Sequence, residues 1–429
     1  MSARRDRACA EALQLFRGGQ VLAAEQACLR RLETDPDDIE ALKIVAVAAL
    51  RRGDAVRAIA KLARAAALDP KDAIARYHLA RAHEMAGNDI ASLAWYDTAL
   101  QLAPQLHVAR LGYGAALERA GHPERALWQW ARALRDAQAA GRWTDADSTP
   151  SGLRPLVERA VRAVRLGRRD WLARALEPFE ARCGTAALAR VRRALAIYLG
   201  EEHAQGPDPR QQPTFLWFPD LPPTPVFERS DFEWIDALEA RAAAIRGELG
   251  ALLGNPVGRE RVFDSAALER ENLRGLRGAP DWSGYYFYRH GERRAENCAR
   301  CPATAQALDA VPLSRVPGHG PEALFSVFAP GTHLLPHRGV TNTRLVGHLP
   351  LVVPADCALR VGDRLHVWRE GEVVVFDDTY EHEAWNRSDE TRVVLIFDIW
   401  NPHLTPAECE ALAALVPAIG EFRMAVDAA

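Results

Sequence analysis

The chain lacks several features that would assign it a class at once, and each absence removes a possibility. No stretch of ~18 consecutive apolar residues occurs, which leaves no candidate membrane-spanning helix. The N-terminal segment Met-Ser-Ala-Arg-Arg-Asp-Arg-Ala-Cys-Ala-Glu has basic residues but not the apolar core of a secretory leader, so a cytoplasmic location is expected. Charge of neither sign predominates: 54 basic and 57 acidic side chains give a net charge of −3, and neither nucleic acid nor an anionic membrane is expected as the main partner. Seven cysteines are too few and too scattered in 429 residues to form a disulfide framework. Cys298 and Cys301 form one Cys-x-x-Cys without the second pair that a structural zinc site needs. They are expected to be loop thiols, with a redox role as the minor alternative.

What the first third contains is a period. Pro36, Pro70 and Pro104 recur every 34 residues, as do Gly19, Gly53, Gly87 and Gly121, each followed five positions later by Ala24, Ala58, Ser92 or Ala126. Thirty-four is the period of the tetratricopeptide repeat. The glycine supplies a tight turn, the small residue lets two helices approach closely, and the proline opens the next unit. An α-solenoid of about three and a half repeats is predicted over 7–137, followed by a helical cap or linker over 138–205. Such an array does no chemistry; its concave face is expected to hold a peptide or protein, with Tyr77, His78, His83 and Tyr113 as candidate lining residues. The polar, proline-rich stretch Gly206–Pro225 reads as the boundary between the two halves.

Beyond a helix predicted at about 231–253, short β-type runs follow: Gly284–Tyr288, Leu324–Phe328, Arg344–Val353, Ala358–Val361, Val373–Phe376 and Arg392–Trp400. Many short strands separated by turn residues predict a double-sheet jelly roll over 213–425. Strand parity puts Arg392 on one face with Val394, Ile396 and Asp398, and a guanidinium among such neighbours calls for an anion. His337 and His382 lie 45 positions apart in the same region as a candidate metal pair. Arg344, Val346 and His348 share a face, as do Leu324, Ser326 and Phe328, so polar groups fall among apolar ones as in a pocket lining. If the segments flanking Asn386-Arg387-Ser388-Asp389 pair as a hairpin, His382 and Arg392 face each other.

The segments Ala-Pro-Gly-Thr-His-Leu-Leu-Pro-His-Arg-Gly-Val-Thr-Asn-Thr-Arg-Leu-Val-Gly-His-Leu, Phe-Asp-Asp-Thr-Tyr-Glu-His-Glu-Ala-Trp-Asn and Asp-Ile-Trp-Asn-Pro-His-Leu-Thr-Pro resemble the aspartyl/asparaginyl β-hydroxylase family over about residues 213–425. These are iron(II)- and 2-oxoglutarate-dependent oxygenases on a double-stranded β-helix, and a tetratricopeptide array also precedes that domain in the family. The resemblance implies iron, 2-oxoglutarate and O2 as cofactor and co-substrates, and hydroxylation of the β-carbon of Asp or Asn in a peptide or protein. It makes His337 and His382 the iron ligands, and Ser326, His348 and Arg392 the 2-oxoglutarate contacts. Arg344 corresponds to a position that holds the target carboxylate, and Trp282 falls in a segment bordering the site. Val346 stands where some members have an arginine near the cofactor. The usual metal-binding carboxylate, two residues after the first histidine, is replaced by Gly339. That two-histidine pattern is a trait of the family, and Asp377, Asp378, Glu381 and Glu383 are expected to act as acceptors that orient His382. Two readings outside this class stay open: a repeat adaptor with a relic jelly roll, and a cupin-type metalloenzyme of different chemistry.

Overall fold

A computed structural model describes residues 12, 14–16, 18–253, 260–261 and 282–429. The opening of the first predicted repeat lies outside the described residues. The chain divides into two compact units, Met1–Arg168 with Phe422–Ala429, and Arg169–Glu421.

In the first unit the period of 34 becomes seven consecutive helices among the described residues: α1 (Val21–Thr34), α2 (Ile39–Arg51), α3 (Ala55–Leu68), α4 (Ala73–Met85), α5 (Asp89–Leu102), α6 (His107–Arg119) and α7 (Pro123–Ala139). The four periodic glycines all take the left-handed conformation, with φ of +80°, +80°, +71° and +81°, which a Cβ would strain. The small residues five positions on, Ala24, Ala58, Ser92 and Ala126, have no exposed surface. Helix starts are periodic too: Asp38 and Asp72, and likewise Asp54 and Asn88, accept from the backbone amide three residues on, each cap contributing about 1 kcal/mol. Larger side chains are accommodated by glycine on the facing helix. A Cβ at Gly112 would strike the Tyr96 ring, and one at Gly114 the Trp130 indole. Tyr77 and Tyr113, expected on the binding face, are buried with Tyr96 and Trp130 in this core. Aromatic packing between neighbouring helices took precedence over display.

The helices expected to belong to a cap behave differently in their second half. After α8 (Arg154–Arg174), α9 (Glu177–Cys183) and α10 (Ala189–Tyr198) share an apolar core within the second unit with Leu216, Phe218, Leu221 and residues 404–419. Nor is Gly206–Pro225 a free linker: Leu216 bridges Thr341, and Gln211 Nε2 donates to Asp377 Oδ2 at 2.5 Å. The reason is that its apolar residues, Leu216 and Phe218, are fully buried, and burial of that size outweighs the flexibility its proline content suggests.

The predicted helix at 231–253 is two helices, α11 (Ile235–Glu239) and α12 (Ala242–Leu253). The strands then form two antiparallel sheets. The larger, seven-stranded one runs β1 (Glu260–Arg261), β2 (Trp282–Arg289), β4 (Ala323–Phe328), β11 (Arg392–Trp400), β6 (Arg344–Val352) and β9 (Val374–Phe376), with β3 (Glu292–Arg293) paired to β2. The smaller runs β5 (His333–His337), β10 (His382–Asn386), β7 (Cys357–Val361) and β8 (Arg364–His366). One face of the large sheet, with Phe325, Leu349, Leu395 and Phe397, packs on α11, α12, α13 (Ala295–Arg300) and α14 (Pro302–Asp309). The opposite face, with Phe328, Val346, Val374 and Phe376, meets Leu334, Leu359, Val361 and Ala384 of the small sheet. This two-layer arrangement is the expected jelly roll. Cys298 and Cys301 are buried free thiols of the helix-covered core; the Cys301 thiol is pushed up to about 12 by burial. They are packing residues of a helix and its neighbour's cap, not of a loop.

Candidate functional site

The predicted hairpin between His382 and Arg392 does not form. β10 pairs with β5 and β7 in the small sheet, and β11 with β4 and β6 in the large one. The turn after Asn386 is a crossover between layers, because β10 and β11 each bury an apolar face against the opposite sheet. His382 is instead directly across from His337, and the two imidazole centroids are 4.0 Å apart. A register shift in β10 just after His382 marks the place, where an irregular strand re-aims side chains.

The two rings are held in the same way. His337 Nδ1 lies 2.8 Å from the carbonyl oxygen of Leu335, and His382 Nδ1 lies 3.0 Å from that of Tyr380. A carbonyl only accepts, so each Nδ1 carries the proton and each Nε2 keeps its lone pair. Burial pushes His337 down to about 3 and His382 to about 4, so both are neutral at physiological pH. Two neutral imidazoles with anchored Nδ1 atoms and free Nε2 lone pairs are suited to a divalent transition metal. Among the described residues no third His, Cys, Asp or Glu joins them in a metal-binding group.

Gly339 explains why. A Cβ there would fall inside the Asp378 carboxylate, so this backbone position cannot carry a ligand side chain while Asp378 stays. Asp378 Oδ2 accepts from Arg344 Nη2 at 2.6 Å, and Arg344 Nη1 donates to Asp398 Oδ2 at 2.9 Å. Burial opposes the charge of Arg344, but Asp398 and Asp378 outweigh it and raise its pKa. Asp378 Oδ1 is buried without a partner. The orientation of His382 comes from the Tyr380 carbonyl and not from the expected carboxylates. Glu383 is engaged by His333 and Arg360, and Glu381 by Arg338 and Arg360.

Between the sheets, farther along, lies Arg392, 1% exposed. Its guanidinium carbon is 4.0 Å from the centroid of the Trp368 indole and 4.6 Å from that of Phe328. Nη1 is 3.5 Å from Ser326 Oγ, to which Trp282 Nε1 donates at 2.9 Å. Nε has no partner, and among the described residues no carboxylate forms an ion pair with this cation. Burial pulls its pKa down to about 9. A buried cation costs several kcal/mol unless an anion accompanies it. From the imidazoles to this point runs a line of rings: His382 is 5.5 Å from Phe376, Phe376 is 5.1 Å from His348, and His348 is 5.8 Å from Trp368. His348 Nδ1 is buried and unpartnered.

The structure thus gathers His337, His382, Arg344, His348, Ser326, Trp282 and Arg392 on the faces between the two sheets. Val346 shares that face, across from Asp398 and Phe376, so no second guanidinium stands there. Sequence reasoning missed Trp368 and Asp378's occupation of the space at Gly339. Neither contact is local in the chain, and no periodic signal marks it.

A pair of facing imidazoles and, farther along, a buried guanidinium with no ion-pair partner among the described residues thus lie between the two sheets. The aspartyl/asparaginyl β-hydroxylase family model matches residues 239–402, within the second unit. The human aspartyl/asparaginyl beta-hydroxylase is 38% identical over 34% of this chain and 19% of its own length. The ornithine lipid ester-linked acyl 2-hydroxylase of Rhizobium tropici is 34% identical over 43% of this chain and 63% of its own. The mouse aspartate beta-hydroxylase domain-containing protein 1 is 33% identical over 56% and 66%, respectively. The chain therefore spans about a fifth of the human relative.

Proposed function

We propose that this protein is an iron(II)- and 2-oxoglutarate-dependent dioxygenase that hydroxylates the β-carbon of an Asp or Asn residue in a peptide or protein, and that the repeat array presents that polypeptide on its concave face. The observation that carries this reading is Arg392, a fully buried cation with no carboxylate paired to it among the described residues. A dicarboxylate whose far end pairs with the guanidinium and whose near end reaches the imidazoles offsets the desolvation of both.

His337 and His382 would hold the iron through Nε2. Ser326 and Arg392 would take the distal carboxylate, with His348 alongside through its open Nδ1 and Trp282 fixing the Ser326 hydroxyl. Bound iron, with O2, supplies oxidative decarboxylation of 2-oxoglutarate to succinate and insertion of one oxygen atom into a C–H bond. The chain's own part is position and charge: two neutral ligands, a preorganised cation and apolar rings that exclude water. Arg344 has both Nη atoms engaged, so it would meet a target side chain through Nε, which has no partner.

The test is succinate formation from 2-oxoglutarate with iron under air. Production that disappears in His337→Ala and His382→Ala supports the dioxygenase. An inactive wild type whose repeats still capture polypeptides favours the adaptor, and turnover without 2-oxoglutarate favours a cupin-type enzyme. Polypeptides retained on His382→Ala, then treated with wild type and weighed for one added oxygen, identify the target. A gain of oxygen confined to lipid extracts would redirect the substrate assignment.

A further inference from the structure

The crossover 387–391 carries the chain from the small sheet, which bears His382, to the large sheet, which bears Arg392. At its root Asn386 has no exposed surface. Its Nδ2 donates to the carbonyls of Phe328, Ala329 and Glu390 at 3.3, 3.1 and 2.7 Å. Its Oδ1 accepts from the Ser388 amide at 3.1 Å, the Ser388 hydroxyl at 2.6 Å and the Cys357 thiol at 3.2 Å. One amide thereby ties the end of β4, the crossover and the start of β7 to β10. The bond to Phe328 matters most, since Phe328 is the cross-strand partner of Arg392 and its ring carries the guanidinium. His382 sits four residues back along β10, ~13 Å at the usual rise per strand residue. A buried polar group with every partner in place makes a stiff joint, because each lost bond leaves a desolvated group unpaired.

We propose that Asn386 is a positioning residue that fixes the span between the imidazole pair and the Arg392 guanidinium, and so sets the chain length of the 2-oxo diacid that can bridge the two. The proposal rests on reading the space between the imidazoles and Arg392 as a 2-oxoglutarate site. A ligand anchored at both ends matches one length only. Adding one methylene, as in 2-oxoadipate, requires β10 to move against β11, and this amide resists that movement. In a site that holds its shape, a one-methylene mismatch is worth about 10–200-fold in binding.

The experiment measures calorimetric binding of 2-oxoglutarate and 2-oxoadipate to the full chain loaded with Mn(II), without oxygen, in wild type, Asn386→Ala and Ser388→Ala. Wild type is expected to prefer 2-oxoglutarate by at least about 10-fold. Asn386→Ala is expected to shrink that preference by about 5-fold or more, while Mn(II) affinity, set by untouched imidazoles, stays the same. Ser388→Ala removes one partner of Oδ1, keeps a folded protein if the first variant does not, and relaxes the preference in the same direction by a smaller factor. A preference unchanged within about two-fold in the folded variants, or an equal loss of both diacids, overturns the proposal and leaves Asn386 a purely structural residue. A wild type that binds neither diacid overturns the 2-oxoglutarate reading itself and the proposal with it, a result distinct from binding with unaltered selectivity.

Discussion

Particular buried charges in the two units are met differently. In the repeat array Glu25, 5% exposed, is paired with Arg52, and Lys43 meets Asp72 at 2.8 Å. In the jelly roll Arg392 is buried at least as deeply and, among the described residues, meets aromatic rings and a hydroxyl. Glu25 and Lys43 find their counter-charges within the array, whereas among the described residues Arg392 has no ion-pair partner in the sheets. A buried cation without an ion pair is costly, and strongly perturbed charges cluster at functional sites, which makes Arg392 the place in the sheets where a ligand anion would be gained.

The comparison breaks most severely at the imidazoles. His337→Ala or His382→Ala is expected to remove iron-dependent succinate formation altogether, measured by mass spectrometry of the product, with the far-ultraviolet dichroism of the array's helices unchanged. Next comes Arg392→Met. Losing the cation should cost about 2–5 kcal/mol of 2-oxoglutarate binding, roughly 30-fold to several thousand-fold, read by calorimetry. Its melting temperature without ligand should be no lower than that of wild type, because the variant no longer buries an unpaired charge. A lower one would mean that the guanidinium is paid for within the protein.

Smaller effects are expected in the array. Gly112→Ala drives a methyl group into the Tyr96 ring and should cost about 1–3 kcal/mol by overpacking, less up to about 1 kcal/mol from better helix propensity. Thermal melts should show it, while 2-oxoglutarate affinity in the second unit is unaltered. The gentlest test is pH. Burial pushes His78 down to about 4, below the value of about 6.5 in an unfolded chain. Between those values the unfolded state binds the proton more readily, so this contribution is complete above about pH 6.5 and is lost as pH falls toward 4. His78→Leu should flatten that part of the acid-denaturation profile.

Sequence alone determined the repeat array almost completely. Its period, turn glycines and small contact residues are local, and each repeat packs on its immediate neighbours, so one register read along the chain is the register of the fold. Sequence also determined which strand faces are polar, since alternation is intrinsic to an extended chain, and it picked out Arg392, Ser326, His348 and the two histidines. It did not determine which strands meet. His382 pairs with His337 across 45 positions and not with Arg392 ten positions on, because the apolar faces of β10 and β11 had to enter different sheets. Only tertiary structure placed Trp368 over the guanidinium, put the Asp378 carboxylate in the space left by Gly339, and folded Gly206–Pro225 onto the second unit. Each depends on surfaces brought together by burial from distant parts of the chain, and no pattern within a few residues encodes such an encounter.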